Sequence, residues 1–186
     1  MKNLFVSILL LAFAAVATAQ NPYSSATVRA VHDGDSYKVA FTEKPDSVIW
    51  IRLYGVDAPE VRYPGVIPFD QPFGRAAADS VRKLIKGKHV LVDFKYRDVF
   101  DRPVCEVYLL STINIQGESV PDTVSLAQYI VQQGWAWQRN EQRNAKGNKL
   151  LKNIQAYAKS QKVGLWGLKG RAIRPDTFRE RFRPRG

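Results

Sequence analysis

Apolar and polar residues alternate along three short segments near the start of the chain, which is the spacing of β-strands. Residues 28–31 and 37–41 predict two strands, and the Asp33-Gly34 pair between them is a strong signal for a tight hairpin. Residues 48–56 predict a third strand after the polar segment 42–47, which we interpret as a break. This third strand presents two different faces: Ile49, Ile51 and Leu53 on one, and Trp50, Arg52 and Tyr54 on the other.

The spacing of apolar residues changes to that of an α-helix between residues 73 and 86. Residues 89–96 and 104–110 then predict two more strands. Two further helices are predicted, a short one over residues 125–133 and an amphipathic one from about residue 150 to 164. This order predicts an α+β, mainly β fold, in which a five-stranded OB-type β-barrel packs with three α-helices.

The first twenty residues have the pattern of a secretory signal. Lys2 precedes an uncharged apolar stretch over residues 4–16, and the small residues Ala17-Thr18-Ala19 fit a cleavage site. The stretch is short for a membrane span, although an uncleaved anchor is the alternative interpretation. We therefore expect a signal peptide over residues 1–19 and a secreted or periplasmic protein.

Charge and cysteine content narrow the possible partners. The chain carries a formal net charge of +11, which attracts polyanions such as nucleic acid or, as alternatives, anionic membranes and cell-wall polymers. Residues 168–186 are rich in arginine and predict a basic, flexible C-terminal tail after one domain over residues 26–167. Cys105 is the single cysteine, which excludes an intrachain disulfide and a thiolate zinc site.

Two aspartates in different predicted strands are candidates for a metal site. If the second and third strands fold back around residue 46, Asp35 and Asp57 face each other at one end of the barrel. Two neighbouring carboxylates repel unless a cation lies between them, and oxygen ligands favour Ca²⁺, with Mg²⁺ or Mn²⁺ as alternatives. For Asp33 we favour the role of an ordinary turn residue.

Three further charged residues lie at strand ends and turns. Arg52 is flanked by apolar residues, so it needs an anionic partner, either a phosphate or the acid of a structural salt bridge. Glu60 in its loop and Arg102 beside Pro103 could each be solvated surface charges if they are considered alone. Together with the two aspartates, they make up the groups that hydrolysis of a phosphodiester requires.

The chain resembles the staphylococcal nuclease (thermonuclease) family over about residues 26–167. The matching segments are VHDGDSYKV, IRLYGVDAPE, FGRAAADSVRKLI, DVFDRPVCEVYL, LAQYIVQQGWAW and KVGLWG. The resemblance implies an OB-type barrel with three helices and hydrolysis of both DNA and RNA with one Ca²⁺ ion, which leaves 3′-phosphate ends. We expect the protein to be a monomer.

The resemblance also implies a role for individual residues. Asp35 and Asp57 match the calcium ligands, and Ala58 stands where a backbone carbonyl completes the metal site. The three residues that match the catalytic set are Arg52, Glu60 and Arg102. Phe100 and Asn140 fall at or near two tyrosines that hold the nucleotide in the family, so they are weak candidates for substrate binding.

Two other functions are compatible with the same sequence. The first is a non-catalytic OB-fold module that binds nucleic acid, which usually lacks the acids and arginines that are present here. The second is an exported basic protein that binds envelope polymers through its tail. The joint presence of two aspartates, one glutamate and two arginines favours the enzyme.

Overall fold

The computed structural model describes residues 23–115, 118–141, 145–168, 170 and 172–182. The predicted signal peptide therefore lies outside the described residues. The strands are β1 (Ser24–Val31), β2 (Ser36–Phe41), β3 (Lys44–Leu53), β4 (Val56–Asp57), β5 (His89–Arg97), β6 (Pro103–Ile115), β7 (Glu118–Ser125) and β8 (Trp137–Gln138). The helices are α1 (Gly74–Ile85), α2 (Leu126–Gln132), α3 (Ala145–Ser160) and α4 (Pro175–Phe182), with a 3₁₀ helix at Gly164–Gly167.

Five of the strands form a closed ring. The sheet order is β3-β2-β1-β5-β6-β7, and a second, parallel pairing joins β3 to β6. This pairing aligns Arg52 with Val104 and Leu53 with Cys105. The ring resembles an OB-type barrel, so the predicted mainly β fold class is confirmed, and the described residues contain one helix more than predicted.

Alternation along the strands determines which side chains fill the ring. Tyr37, Val39, Ile51 and Leu53 are fully buried, and α1 adds its own buried apolar side chains to the same core. Burial of this apolar surface is the main stabilising contribution to the fold. It leaves the other face of β3, which carries Trp50 and Arg52, on the outside of the ring.

The predicted register of the second and third strands is wrong. The two strands turn at Thr42 and Glu43 instead of residue 46, and Ser36 pairs with Arg52. Consequently the backbone oxygen of Asp35 accepts a 2.8 Å hydrogen bond from the N–H of Leu53, and Asp35 does not lie opposite Asp57. The predicted polar break over residues 42–47 comprises this turn and the exposed start of β3, where no core contact selects for apolar residues.

The sequence patterns also missed the short β4–β8 ribbon and strand β7. In the ribbon, Val56 pairs with Gln138 and Asp57 pairs with Trp137. A two-residue strand is too short to show alternation, while β7 contains Pro121 and many polar residues. Both elements depend on tertiary contacts more than on local sequence preference.

The last described part of the predicted tail packs against the domain as a helix. Residues Pro175–Phe182 form helix α4, in which Phe178 is 1% exposed. The aromatic rings of Phe178 and Phe182, one helical turn apart, both contact the ring of Phe69. None of the helices in the described parts of the chain is long and apolar enough to cross a membrane.

Candidate active site

A buried arginine joins two aspartates at the end of β3. Nη1 of Arg52 donates to Oδ1 of Asp35 at 3.1 Å, and Nη2 donates to Oδ1 of Asp57 at 2.7 Å. The three residues are only 9%, 2% and 4% exposed, respectively. Burial by itself lowers the pKa of Arg52, but the attraction of the two carboxylates outweighs it and raises that pKa above its usual value. The two predicted calcium ligands therefore do meet, through one shared guanidinium.

The hairpin between β1 and β2 holds the first aspartate in position. Oδ2 of Asp35 accepts a 2.8 Å hydrogen bond from the N–H of Ala58, and Oδ1 accepts one from Oγ of Ser36 at 3.0 Å. Oδ1 of Asp33 accepts the N–H of Asp35 at 3.0 Å, as expected of a turn-forming residue. Burial, followed by the negative charge of Asp35, raises the pKa of Asp33 well above its usual value.

A turn after β3 brings the second aspartate back to the site. Gly55 has a φ of +78°, which glycine adopts without strain, and its N–H donates to Oε1 of the buried Glu141 at 3.3 Å. Oε2 of Glu141 accepts a 2.6 Å hydrogen bond from the hydroxyl of Tyr96. The turn and the β4–β8 pairing therefore place Asp57 beside Arg52. Sequence analysis did not find Glu141, because it belongs to no motif that we recognised.

Glu60 lies in the loop that follows β4. Its N–H donates to Oε1 of Gln71 at 3.0 Å, and its carbonyl oxygen accepts the N–H of Gln71 at 2.9 Å. Burial raises the pKa of Glu60, and so does the nearby charge of Asp35, although a hydrogen bond from Arg179 opposes both. Glu60 is thus a partly buried carboxyl group on a fixed backbone, next to the two aspartates.

A residue of α4 completes this cluster of acids. Nη2 of Arg179 donates to Oδ2 of Asp57 at 2.9 Å, and Nη1 donates to Oδ1 of Asp57 at 3.1 Å and to Oε1 of Glu60. Burial opposes the charge of Arg179, but its bonds to Asp57 and Glu60 raise its pKa above the usual value. We refer to Asp35, Asp57 and Glu60 as the acidic cluster. Arg179 was not predicted, because the tail contains several arginines and no pattern distinguishes this one.

Arg102 lies on the hairpin between β5 and β6. Its Nε and Nη2 donate to Oδ2 of Asp98 at 2.9 and 2.7 Å. Among the described residues, the ion pair found for Arg102 is with Asp98 and not with the acidic cluster. The parallel β3–β6 pairing nevertheless places the start of β6, and with it this hairpin, beside the end of β3 that carries Arg52.

The two weak candidates for substrate binding lie on the surface. Phe100 is 64% exposed, and Cζ of Arg102 is 5.5 Å from the centre of its ring. Asn140 follows β8, where its Oδ1 accepts a 2.8 Å hydrogen bond from Nε2 of Gln138. Both positions leave the side chain accessible to a ligand, and their binding role stays a prediction.

The chemistry of these groups fits a hard cation. The carboxylate oxygens of Asp35 and Asp57 and the backbone carbonyl of Ala58 are the oxygen ligands that Ca²⁺ prefers. The guanidinium of Arg179 already bridges Asp57 and Glu60, so the acidic cluster accepts a positive charge at that point. In their present arrangement, the described residues contain no group of three or more acidic, histidine or cysteine side chains spaced to hold a metal ion.

Buried acids and an arginine lie at the edge of a ring of strands. Comparison with known proteins supports a family of endonucleases, which are hydrolases. The family model described as staphylococcal nuclease homologue matches residues 50–167, and the chain belongs to this family. The resemblance that the sequence motifs indicated is thereby confirmed.

Several relatives are named as endonucleases. An uncharacterized endonuclease of Escherichia coli is 33% identical over 136 residues, which cover 73% of this chain and 72% of that protein. Protein ParB of Escherichia coli is 30% identical over 135 residues, or 72% of this chain and 67% of that protein. A probable endonuclease LCL3 of Schizophyllum commune is 28% identical over 147 residues, or 75% of this chain and 48% of that protein.

Proposed function

We propose that this protein is a secreted, calcium-dependent nuclease that hydrolyses DNA and RNA and leaves 3′-phosphate ends. The observation that carries the proposal is that Arg52 forms hydrogen bonds to Asp35 and Asp57 at the edge of the ring, next to Glu60. These are four of the residues that the family resemblance marks as metal ligands and catalytic groups. The net charge of +11 supports a polyanionic substrate.

The acidic residues have two different roles in this proposal. Asp35, Asp57 and the carbonyl of Ala58 would hold one Ca²⁺ ion, which supplies positive charge to a phosphate oxygen. Glu60 orients the attacking water and accepts its proton, with its backbone held in place by Gln71. The bond between phosphorus and the 5′-oxygen then breaks, so that the phosphate stays on the 3′-oxygen.

The two arginines bind the reacting phosphate. Arg52 presents a planar pair of N–H donors that suits phosphate oxygens as well as carboxylates. Arg102 approaches from the neighbouring hairpin and stabilises the charge that develops on the 5′-oxygen. Its present partner Asp98 is on the same hairpin.

The direct test measures cleavage of plasmid DNA and of a single-stranded RNA by the purified protein. We expect cleavage of both in the presence of Ca²⁺ and none with a calcium chelator. The product ends should accept extension by a polymerase only after phosphatase treatment. Binding of nucleic acid without cleavage would support the non-catalytic OB-fold module instead.

Glu60→Gln tests the role of the proposed base. The substitution keeps the size of the side chain but removes its ability to accept a proton, so kcat should fall about 10²–10⁴-fold. Glu43→Gln, in the exposed turn between β2 and β3, is the matched control and should cleave at the original rate. Thermal unfolding checks that both variants are folded, and a folded Glu60→Gln protein with full activity would refute the role.

Gly74→Ala tests how the loop that carries Glu60 is positioned. A Cβ at residue 74 would lie 2.1 Å from the backbone oxygen of Glu60, so the loop must shift. We expect stability to fall by about 1–3 kcal/mol and the cleavage rate to fall with it. The exposed helical position Ala76, changed to Ser, is the control. Unchanged unfolding and cleavage in the Gly74→Ala variant would show that the close approach is not required.

The location of the protein is tested by its mature N-terminus. Protein recovered from the periplasm or the culture medium should begin at Gln20, after removal of residues 1–19. Recovery of the unprocessed chain from the cell membrane would support the uncleaved anchor.

A further inference from the structure

Helix α4 is attached to the site at several points besides Arg179. Phe178 is almost fully buried against Phe69. Nε2 of Gln71 donates a 2.7 Å hydrogen bond to the backbone oxygen of Ile173, just before the helix. The guanidinium of Arg174 lies 5.4 Å from the ring centre of Trp137 in β8. These contacts hold the helix over the acidic cluster with Arg179 pointing into it.

Arg179 uses the groups that the proposed reaction needs. Both carboxylate oxygens of Asp57 and one oxygen of Glu60 accept its hydrogen bonds. A divalent cation ligated by Asp57 would repel the guanidinium at this short distance, and a water molecule on Glu60 would compete for the same oxygen. The acidic cluster therefore cannot bind Arg179 and the divalent cation with its reacting water at the same time.

We propose that α4 is an autoinhibitory latch, in which Arg179 takes the place of the cation in the resting protein and leaves when a divalent ion binds. This proposal rests on the proposed function, because it assigns the cation to the same acids. An eight-residue helix is not stable in isolation, so α4 depends on its contacts with the domain, and the loss of the Arg179 bonds loosens it. Since binding free energies are reciprocal, calcium releases the helix to the same extent that the helix weakens calcium binding.

The first test measures calcium binding by titration calorimetry on the full protein, with no substrate present. We expect Arg179→Gln to bind Ca²⁺ between about 5 and 150 times more tightly than the unaltered protein, the usual range for coupling between sites. Arg181→Gln, an exposed arginine on the same helix, is the matched control and should leave the affinity unchanged. Phe178→Ala loosens the helix without touching the acids, so it should also tighten calcium binding.

The second test follows hydrogen exchange of the backbone amides in residues 176–182. Added Ca²⁺ should accelerate this exchange in the unaltered protein, while in Arg179→Gln it should be fast with or without the ion. Unchanged calcium affinity in both Arg179→Gln and Phe178→Ala, or no calcium binding at all, would overturn the latch. Weaker calcium binding in Arg179→Gln would also overturn it, since Arg179 would then assist the site. Neither readout involves cleavage. A protein that binds calcium and releases α4 but does not cut would therefore support the latch and refute the proposed nuclease activity.

A separate observation concerns the outer face of β3 next to Arg52. Trp50 lies two residues before Arg52 on the same face, and Nζ of Lys38, its partner on β2, is 5.1 Å from the centre of its ring. The ring of His32 makes edge contacts with Trp50 and with Tyr63. Trp50 and Tyr63 are 41% and 53% exposed, so a charged, aromatic surface continues from the acidic cluster.

We infer that Trp50 and Tyr63 stack against bases of single-stranded nucleic acid while Lys38 contacts a phosphate. This inference also rests on the proposed function, and single strands are favoured because their bases are free to stack on aromatic rings. The test measures binding of a single-stranded oligonucleotide in the presence of a chelator, so that cleavage plays no part. Trp50→Ala should weaken binding about 5- to 150-fold, as expected for the loss of one base stack.

Two comparisons make this second test specific. Duplex DNA of the same sequence should be affected much less by Trp50→Ala, because its bases are already stacked. Lys38→Gln should reduce the slope of the logarithm of the binding constant against the logarithm of the salt concentration by about 1, the contribution of one phosphate contact. An equal loss for duplex and single strand, or no loss for either, would overturn the stacking role, and both results are independent of whether the protein cuts.

Discussion

Replacing Arg52 with methionine lowers the free energy of unfolding by about 3–5 kcal/mol, the usual effect of removing one partner of a buried ion pair. The arginine is 9% exposed and bonds to two carboxylates that are themselves buried. Its loss removes the ion-pair partner found for Asp35 among the described residues and leaves Asp57 paired with Arg179. Methionine keeps most of the volume, which separates the loss of charge from the creation of a cavity. Urea denaturation at neutral pH measures the effect.

The same variant has a second expected property. Added Ca²⁺ should restore part of the lost stability, because a cation bound by Asp35 and Asp57 supplies the charge that the arginine provided. Arg29→Met, at an exposed position of β1, is the matched control and should change stability by less than about 0.5 kcal/mol. A loss below about 1 kcal/mol for Arg52→Met would show that the pairs contribute no more than surface ion pairs do.

Replacing Arg102 with alanine lowers kcat by about 10²–10³-fold and changes stability very little. The guanidinium is 39% exposed and bonds to Asp98 at the surface, where an ion pair contributes about 0–1 kcal/mol. Its proposed contribution is made in the transition state, so the rate falls while the fold remains. Steady-state cleavage kinetics with saturating calcium measure the loss.

The chain offers a close control for this experiment. Arg97 lies on the same hairpin, is 54% exposed, and forms an ion pair with Asp101. Arg97→Ala therefore removes a comparable surface charge without removing the proposed catalytic group. Equal losses of activity in the two variants would indicate that only the positive charge of the hairpin matters.

Much of the ring could be predicted because its strands and α1 follow local rules. Tyr37 and Val39 alternate with polar neighbours, and Asp33-Gly34 marks the hairpin between β1 and β2. The register between β2 and β3 was not predictable in the same way. Residues 44–47 are exposed and polar, so the sequence contains no core-facing position to indicate that the strand begins there.

The sequence predicted several residues of the candidate site but not the contacts that bring them together. Asp35 and Asp57 meet although they are not cross-strand partners, because the turn at Gly55 and the β4–β8 ribbon return the chain to Arg52. Glu141 bonds to Gly55 and Tyr96, and Gln71 bonds to Glu60, and such individual contacts leave no periodic pattern in the sequence. Arg179 is separated from Asp57 by more than a hundred residues, so only the folded chain could identify it.

The parallel contact between β3 and β6 has a consequence for when the protein becomes active. It joins residues about fifty positions apart, and non-local pairings of this kind form slowly compared with helices and hairpins. The end of β3, which carries Arg52, and the start of β6, which follows Arg102, come together only when this parallel pairing forms. A chain that has not yet folded therefore has no assembled centre, so any activity of these residues requires the completed ring.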